Sequence, residues 1–169
     1  MSTVSIGIRR ASWGDAKEIA GVHDAAWRLA YRGIIPGREL EKLVLRRGPN
    51  WWAEAIDKGL GIMVLEFDNA IAGYATFGRN RARSLPFAGE IYEFYLAPNY
   101  QGIGLGKRLF AATRAQLVRH KLTSHIAWAL ADNAQAQGFY ARLGGREVAR
   151  GNERFGETEL VKIAFGWDA

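Results

Sequence analysis

The residues NYQGIGLGKRL, Asn99 to Leu109, decide the fold of this chain. Glycine occupies every second position from Gly102 to Gly106, and the basic pair Lys107 and Arg108 follows at once. Glycines let an anion approach the backbone amides, and the N-terminus of a helix carries a partial positive charge. The stretch therefore predicts an anion-binding loop that leads into a helix.

Two common phosphate-binding motifs do not fit this loop. The Walker motif requires glycine where the chain has Gln101, and serine or threonine where it has Arg108. The dinucleotide-binding fingerprint requires a third glycine where the chain has Lys107 or Leu109. The loop therefore predicts neither an ATP site nor an NAD site. What remains is the pattern Gln-x-x-Gly-x-Gly.

The composition favours one globular domain with an anionic partner. A chain of 169 residues can bury one sizeable core, so we expect a single domain over residues 1–169. The net charge of +6 favours anionic ligands. The basic residues are dispersed and form no dense run, which argues against a nucleic-acid partner.

The residue types that are missing narrow the chemistry. The chain has no cysteine, which excludes disulfides, thiolate nucleophiles and cysteine-based metal sites. His23, His120 and His125 lack the spacing of metal ligands, so we expect no metal. The first residues do not form a signal peptide, and no apolar run approaches the roughly 18 residues that cross a membrane. We expect a cytoplasmic protein with no membrane partner.

Hydrophobic periodicity predicts an α+β arrangement. Strands are predicted at 4–9, 61–67, 70–77, 90–96, 123–130, 146–150 and 159–165. Helices are predicted at about 12–31, 38–58, 104–119 and 133–143, the second interrupted at 48–49. The segments 79–88 and 151–157 are predicted as loops. The order of strands and helices indicates one α+β domain.

A second motif, NAQAQGFYARLGG from Asn133 to Gly145, follows the fifth predicted strand. Together with the glycine loop it resembles the GCN5-related N-acetyltransferase (GNAT) superfamily, which transfers an acyl group from acyl-CoA to an amine. In that family an asparagine stands seven residues before a tyrosine, as Asn133 and Tyr140 do here. The helix then ends in Leu-Gly-aromatic, whereas this chain has Gly145 in the aromatic position.

The resemblance implies a fold and a co-substrate. The fold is a mixed, mostly antiparallel sheet of about seven strands, splayed at the CoA site and flanked by about four helices. The donor is acetyl-CoA, whose pyrophosphate the glycine loop cradles and whose pantetheine arm lies along the backbone at 94–96. The residues implied to bind CoA are Phe94, Tyr95, Leu96, Gln101, Gly102, Ile103, Gly104, Leu105, Gly106, Lys107 and Asn133. Arg108 is a further base that could reach the phosphates.

The chemistry that the resemblance implies is aminolysis of a thioester by direct attack. It requires a neutral amine, a stabilised oxyanion and a proton for the departing thiolate. The resemblance implies that Tyr140 supplies this proton as general acid. For the general base, Glu90 and Glu93 are both candidates, and a water relay is a third. A period of two along the strand predicts that the two glutamates face opposite sides of the sheet.

The acceptor is less constrained. Trp27 and Tyr31 are four residues apart on the first helix and therefore share a face. Their segment resembles the acceptor-site wall of bacterial small-molecule acetyltransferases, which predicts a small-molecule or peptide amine. Enzymes of the family that acetylate ribosomal proteins carry a glutamate where this chain has Trp128, and this departure argues against that subgroup.

Two alternatives from other classes remain open at the sequence level. One is a non-catalytic CoA-binding regulatory module on the same fold, because a fold and a cofactor loop do not guarantee turnover. The other, disfavoured by the dispersed charge, is a nucleic-acid-binding protein. Dimers are common in the family, so a homodimer is a further expectation.

Overall fold

A computed structural model describes residues 3–169 as one continuous sheet with five α-helices. The strands are β1 (Ile6–Arg10), β2 (Gly61–Phe67), β3 (Ala70–Arg79), β4 (Gly89–Leu96), β5 (His125–Leu130), β6 (Arg146–Phe155) and β7 (Thr158–Trp167). They lie in the order β1-β2-β3-β4-β5-β7-β6. The helices are α1 (Ala16–Tyr31), α2 (Gly37–Arg46), α3 (Pro49–Asp57), α4 (Leu105–Arg119) and α5 (Ala134–Arg142).

The fifth helix arises where the sequence breaks the second helical stretch. Gly48 has extended backbone and Pro49 begins α3, since a proline at the first helical position loses no hydrogen bond. The indole of Trp52 donates a hydrogen bond of 3.0 Å to the carbonyl of Arg47. This bond fixes the corner between α2 and α3, so the predicted interruption is confirmed and separates two helices.

The sheet is antiparallel except in the middle, where it opens. β4 and β5 run parallel and pair only at Gly89–His125, Glu90–Ile126 and Ile91–Ala127. Both strands continue beyond the last pair, β4 to Leu96 and β5 to Leu130. The ends of two neighbouring strands therefore diverge, and the splayed sheet that the resemblance implied is confirmed.

Each face of the sheet has its own core. On one face α4 and α5 pack against β2 to β5 and β7, around Leu105, Leu109, Phe110 and Phe165. On the other face α1 and α3 pack against β2 and β3, around Ile19, Trp52, Val64 and Tyr74. The central strands thus have apolar contacts on both sides, and the opening between β4 and β5 lies between the two layers.

One strand irregularity changes the direction of a predicted site residue. Thr76 pairs with Glu93 but Phe77 pairs with Ile91, so Tyr92 is an extra residue on β4. Thr76 and Gly78 share a face, and their partners are Glu93 and Glu90. The β-bulge therefore turns both glutamates to the α1 face, and the prediction of opposite faces is wrong.

The end of the chain also differs from the prediction. Residues 151–155 were expected in a polar loop but continue β6, and only residues 156–157 form the turn before β7. β6 lies at an edge of the sheet, where one face and one backbone side meet solvent. Charged residues suit such an edge, so polarity here was a poor indicator of a loop.

Within residues 3–169, no helix is long and apolar enough to cross a membrane.

Candidate active site

A cleft of about 530 Å³ opens where β4 and β5 diverge. We call it the central cleft. It is lined by Ala26, Ala30, Phe94, Tyr95, Leu96, Gln101, Gly102, Gly104, Gly106, Lys107, Asn133, Gln135, Ala136, Phe139, Tyr140, Arg142 and Leu143. Its wall therefore combines the end of β4, the glycine loop with the start of α4, one face of α5 and two alanines of α1.

The glycine loop presents free backbone amides to this cleft. Gly102 and Gly104 have φ angles of 79° and 83°, a left-handed conformation that residues with a side chain rarely adopt. Gly104 precedes the first turn of α4, which has no side-chain cap and no acidic residue. The first amides of a helix have no partner inside the helix, so this turn can bind an anion.

Gly106 brings α4 and α5 together at the floor of the cleft. A Cβ at this position would lie 3.1 Å from the ring of Phe139, which is tighter than an ordinary contact. Phe139 also packs on Phe94 with ring centroids 5.2 Å apart. The close approach therefore places one face of α5 beside the open end of β4.

Two amide side chains fix the loops around the cleft. Gln101 donates from Nε2 to the carbonyl of Leu96 at 3.0 Å, and Gln135 donates to Gln101 Oε1 at 3.3 Å. Asn133 caps α5, because its Oδ1 accepts a hydrogen bond of 3.2 Å from the amide of Ala136. The Asn133 side chain also lies near the Tyr31 hydroxyl, and its hydrogen bond there opposes the rise of the Tyr31 pKa that burial causes.

Tyr140 lines the cleft and is largely buried, with 6% of its surface exposed. Its ring packs against Phe165 and Trp167, with centroids 5.9 and 5.7 Å away. Burial raises the pKa of the phenol, and nearby Tyr31 adds to the rise. The hydroxyl is therefore protonated throughout the neutral range.

Glu90 is engaged at the far end of β4. Its Oε1 accepts from the backbone amide of Arg81 at 2.9 Å, and its Oε2 accepts from the guanidinium at 2.8 Å. The Arg81 guanidinium lies 4.1 Å above the ring of Tyr92. Glu90 thus holds the segment after β3, and it does not line the central cleft.

Glu93 lies closer to the open end of β4. Its Oε2 accepts a hydrogen bond of 3.0 Å from Arg47, whose guanidinium stacks 3.8 Å above the ring of Trp51. Burial raises the pKa of Glu93, and the charge of Arg47 opposes the rise. Arg47 is therefore the counterion of this carboxylate.

His23 approaches the other oxygen of Glu93, with Nε2 4.0 Å from Oε1. The imidazole is 1% exposed, and its burial together with the charge of Arg47 lowers its pKa to about 3. His23 is therefore neutral at physiological pH, and its contact with Glu93 is not an ion pair. A neutral imidazole offers one donor and one acceptor.

Trp27 and Tyr31 share a face as expected, with ring centroids 5.0 Å apart. They do not line the central cleft, where α1 contributes Ala26 and Ala30 instead. The hydroxyl of Tyr31 lies 2.5 Å from that of Tyr95, a hydrogen bond in which either can donate. The pair therefore faces the interior between α1 and β4, next to the cleft.

The central cleft collects most of the residues that the sequence implied. Three of the residues implied for CoA are not among its lining: Ile103 is exposed, Leu105 is in the core, and Arg108 is absent from the wall that its neighbour Lys107 lines. The predicted base and acceptor residues Glu90, Glu93, Trp27 and Tyr31 also lie outside the lining. Seven further lining residues were not predicted from the sequence: Ala26, Ala30, Gln135, Ala136, Phe139, Arg142 and Leu143. The α5 residues could have been found, because 136, 139, 140 and 143 have the spacing of one helical face.

No three histidine, aspartate or glutamate side chains gather as a metal-binding group in the part of the chain from residue 3 onward.

The geometry of the cleft agrees with a sequence comparison. The model of the Acetyltransferase (GNAT) family matches residues 19–145. The chain belongs to this family. The GNAT assignment covers α1 to α5, including the glycine loop and the Asn133–Tyr140 helix, and the chain is an N-acetyltransferase.

Two bacterial relatives carry the same enzyme name. The uncharacterised N-acetyltransferase YuaI of Bacillus subtilis (strain 168) is 30% identical over 162 residues, covering 96% of this chain and 92% of the relative. Rv2775 of Mycobacterium tuberculosis, named a probable N-acetyltransferase, is 29% identical over 148 residues, covering 84% and 80%.

Solved structures share the fold. The PaiA N-acetyltransferase of Thermoplasma acidophilum, solved in complex with coenzyme A, superposes with a TM-score of 0.76 at 17% identity, over 94% of this chain and 98% of that one. YncA of Salmonella typhimurium, a proposed acetyltransferase solved with acetyl-CoA, gives 0.69 at 19% identity, over 96% and 93%. At these identities the likeness extends to the fold alone.

Proposed function

We propose that this GNAT acetyltransferase transfers the acetyl group of acetyl-CoA directly to a primary amine of a small molecule or peptide. The observation that carries the proposal is the central cleft, where an uncapped helix start, unpaired strand ends and a buried phenol meet. Two structural neighbours were solved with coenzyme A or acetyl-CoA, which supports the same co-substrate here.

In this proposal the phosphates of CoA lie at the glycine loop. The amides from Gly102 to Gly106 and the positive end of α4 face the pyrophosphate. Lys107 and Arg142 bring positive charge to the two sides of the cleft. Arg142 is exposed, and no acidic partner among residues 3–169 forms a salt bridge with it, so its guanidinium is available for a phosphate.

The pantetheine arm then extends along the end of β4. Beyond Ile91 the side of β4 that faces β5 has no strand partner, so the backbone of Phe94 to Leu96 can pair with an amide-containing chain. Asn133 also lines the cleft and is the proposed side-chain contact of this arm. This arrangement directs the thioester toward Tyr140.

The acid in the reaction is Tyr140. When the amine attacks the thioester carbon, the C–N bond forms and the tetrahedral intermediate collapses with loss of the thiolate. The thiolate needs a proton to become CoA. Burial keeps the Tyr140 phenol protonated at neutral pH, so that it can donate this proton.

The base is Glu93 and not Glu90. Glu90 is six residues from the end of β4, about 20 Å along an extended strand, and both of its oxygens are bound by Arg81. Glu93 is three residues from that end and keeps one oxygen without a protein hydrogen-bond partner. Its side chain also lies on the α1 face, where Trp27 and Tyr31 form the proposed wall of the acceptor site.

An acetyl-CoA thiol-release assay tests the function. The chain has no cysteine, so a thiol reagent reports released CoA without a signal from the enzyme. The screen includes amino acids, polyamines, aminoglycosides and peptide N-termini. We expect amine-dependent thiol release with at least one class, and mass spectrometry should find the acetylated amine.

Other outcomes favour the alternatives. Thermal stabilisation by CoA without thiol release for any amine would indicate a non-catalytic CoA-binding module. A steeply salt-dependent affinity for nucleic acid that CoA does not affect would indicate the third function class. The single domain, the homodimer and the cytoplasmic location stay predictions from the sequence.

A further inference from the structure

Trp167, the last residue of β7, contacts both the end of α5 and the side chain proposed as the acid. Its indole Nε1 donates a hydrogen bond of 3.1 Å to the carbonyl of Leu143, the residue that ends α5. Its ring meets that of Tyr140 edge to face, with centroids 5.7 Å apart and planes at 81°. Trp167 is buried and does not line the central cleft, so any effect on the reaction must pass through its neighbours.

The end of α5 lacks an apolar contact that helices of this kind usually make. The amide of Gly145 donates to the carbonyl of Tyr140 at 2.9 Å, and the amide of Gly144 donates to that of Ala141 at 3.1 Å. Gly144 has a φ of 89°, so the helix ends in a Schellman motif. In that motif an apolar side chain at the position of Gly145 frequently packs on the residue five before it, which is Tyr140. Gly145 has no side chain to do so.

The indole of Trp167 occupies the space that such a side chain would need. A Cβ at Gly145 would lie 2.6 Å from Cζ2 of the indole and 2.9 Å from the carbonyl oxygen of Tyr140. The first distance is far shorter than a van der Waals contact between carbon atoms, so the two groups exclude each other. Trp167 therefore supplies from β7 the apolar contact that the glycine on α5 cannot make.

Trp167 is itself held by the sheet and by α4. Its ring stacks on that of His125, its pairing partner on β5, with centroids 5.1 Å apart and planes 11° apart. It also packs on Phe110 of α4 at 5.1 Å. Tyr140 lies between this fixed indole and Phe165, whose centroid is 5.9 Å from its own. A close-packed support of this kind leaves the phenol ring little freedom to turn.

We infer that Trp167 is a positioning residue, which holds the Tyr140 phenol in the orientation from which it protonates the departing thiolate. This role rests on the proposed function and assigns part of it to a residue outside the cleft. Proton transfer requires hydrogen-bond distance, and a small misplacement of the donor lowers the rate steeply. The ring contact fixes the phenol, and the hydrogen bond to Leu143 fixes the last turn of α5, which carries it.

The first test compares Trp167→Phe with Phe77→Leu. Trp167→Phe keeps an aromatic ring but removes the Nε1 donor and the part of the indole nearest Gly145. We expect kcat to fall by about 10- to 100-fold, with the Kd for acetyl-CoA within about twofold of wild type. Phe77 is equally buried in the same core but packs on His120 at the other end of α4, so kcat of Phe77→Leu should stay within about twofold. Thermal denaturation verifies that both variants are folded at the assay temperature.

A double substitution distinguishes positioning from a general loss of structure. Trp167 is inferred to act through the hydroxyl of Tyr140, so it has nothing to position once that hydroxyl is removed. In the Tyr140→Phe background, Trp167→Phe should therefore lower kcat by no more than about twofold. A general structural effect would instead lower kcat by the same factor in both backgrounds. The measurement is kcat in wild type, the two single variants and the double variant.

Gly145→Ala tests the same contact from the helix. The added methyl group lies where the indole is, so it must displace the ring that supports Tyr140. We expect kcat to fall by about 10-fold at an unchanged Kd for acetyl-CoA. In the Trp167→Phe background the ring is smaller and lacks the Cζ2 atom, so the same methyl group should lower kcat by no more than about twofold.

Three results would overturn the role of Trp167 while leaving acetyl transfer intact. They are a wild-type kcat in folded Trp167→Phe, the same loss with and without the Tyr140 hydroxyl, and a loss of acetyl-CoA affinity as large as the loss of kcat. If Trp167→Phe does not fold, Gly145→Ala decides, and a wild-type kcat in that variant overturns the role. Absence of thiol release from the wild type with every amine contradicts the proposed function itself, and the role of Trp167 falls with it.

Discussion

The central cleft and a buried group of polar side chains, consisting of His23, Trp27, Tyr74, Thr76 and Glu93, are neighbours but are built by different means. The cleft is open and lined largely by backbone, small residues and the apolar face of α5. The polar group is made of buried and partly buried side chains from α1, β3 and β4, and six of its nitrogen or oxygen atoms have no protein hydrogen-bond partner. Tyr95 lies between the two, because it lines the cleft and its ring is 6.0 Å from that of Tyr74.

In the proposed function, this difference corresponds to two tasks, binding of the donor in the cleft and activation of the acceptor near Glu93. A cofactor with fixed chemistry is bound by features that a short sequence can encode, such as left-handed glycines and the start of a helix. Proton transfer needs a carboxylate of adjusted pKa, which depends on burial and a counterion from distant segments. Glu93 receives its counterion from a residue 46 positions away.

The largest expected effect concerns the acid in the cleft. Tyr140→Phe should lower kcat by about 100- to 1000-fold, because the thiolate then leaves without a positioned proton donor. Acetyl-CoA affinity should stay near wild type, since the ring remains packed on Phe165 and Trp167. Steady-state kinetics and calorimetry measure the two quantities. An equal loss in both would assign Tyr140 to binding and not to catalysis.

The next-largest expected effect is on the pH dependence of protein stability, and it concerns the buried His23. The folded-state pKa of His23 is about 3, below the 6.5 of an unfolded histidine, so the unfolded state takes up a proton first as pH falls. Stability that is present above pH 6.5 is lost on the way toward pH 3. In His23→Gln this loss between pH 6.5 and 4.5 should be smaller by about 2–3 kcal/mol.

Urea denaturation at a series of pH values measures the effect. His120→Gln is the matched control, because His120 is exposed on the turn after α4. Equal pH slopes in wild type and His23→Gln would contradict a buried neutral imidazole.

The third effect returns to the cleft. Gly104→Ala should cost about 1–2 kcal/mol of stability, because its φ of 83° is strained for a residue with a Cβ. It should also weaken acetyl-CoA binding, because the amides before α4 shift. Gly21→Ala, in the middle of α1 with no atom near the added Cβ, should instead stabilise by about 0.5–1 kcal/mol. Thermal denaturation with and without CoA compares the two glycines.

The smallest expected effect is on CoA affinity, and it distinguishes the adjacent basic residues Lys107 and Arg108. Lys107→Ala should weaken CoA binding about threefold to fivefold, an effect that salt reduces, since an exposed charge pair contributes less than about 1 kcal/mol. Arg108→Ala should leave affinity unchanged, because Arg108 does not line the cleft. Titration calorimetry at two salt concentrations decides the comparison. Equal losses of CoA affinity in both variants would indicate that the phosphates do not bind at the part of the cleft wall that Lys107 lines.

Much of this architecture follows from local patterns. The strand before the glycine loop, the helix after it and the Asn133–Tyr140 spacing predicted the cleft and most of its lining. Two local predictions were wrong for identifiable reasons. The bulge at Tyr92 reversed the face of one glutamate relative to the other, and charge on the edge strand β6 resembled a loop.

The sequence by itself determined the fold family and the donor side, because backbone conformation at glycines and helix ends depends on nearby residues. Only the tertiary structure determined the partners of each glutamate, on which the proposal of Glu93 as the base rests. Glu90 is held by nearby Arg81, whereas Glu93 meets Arg47, His23 and Tyr74 from three separate elements. The pKa of a buried group depends on everything packed around it, and that packing is assembled from residues far apart in the chain.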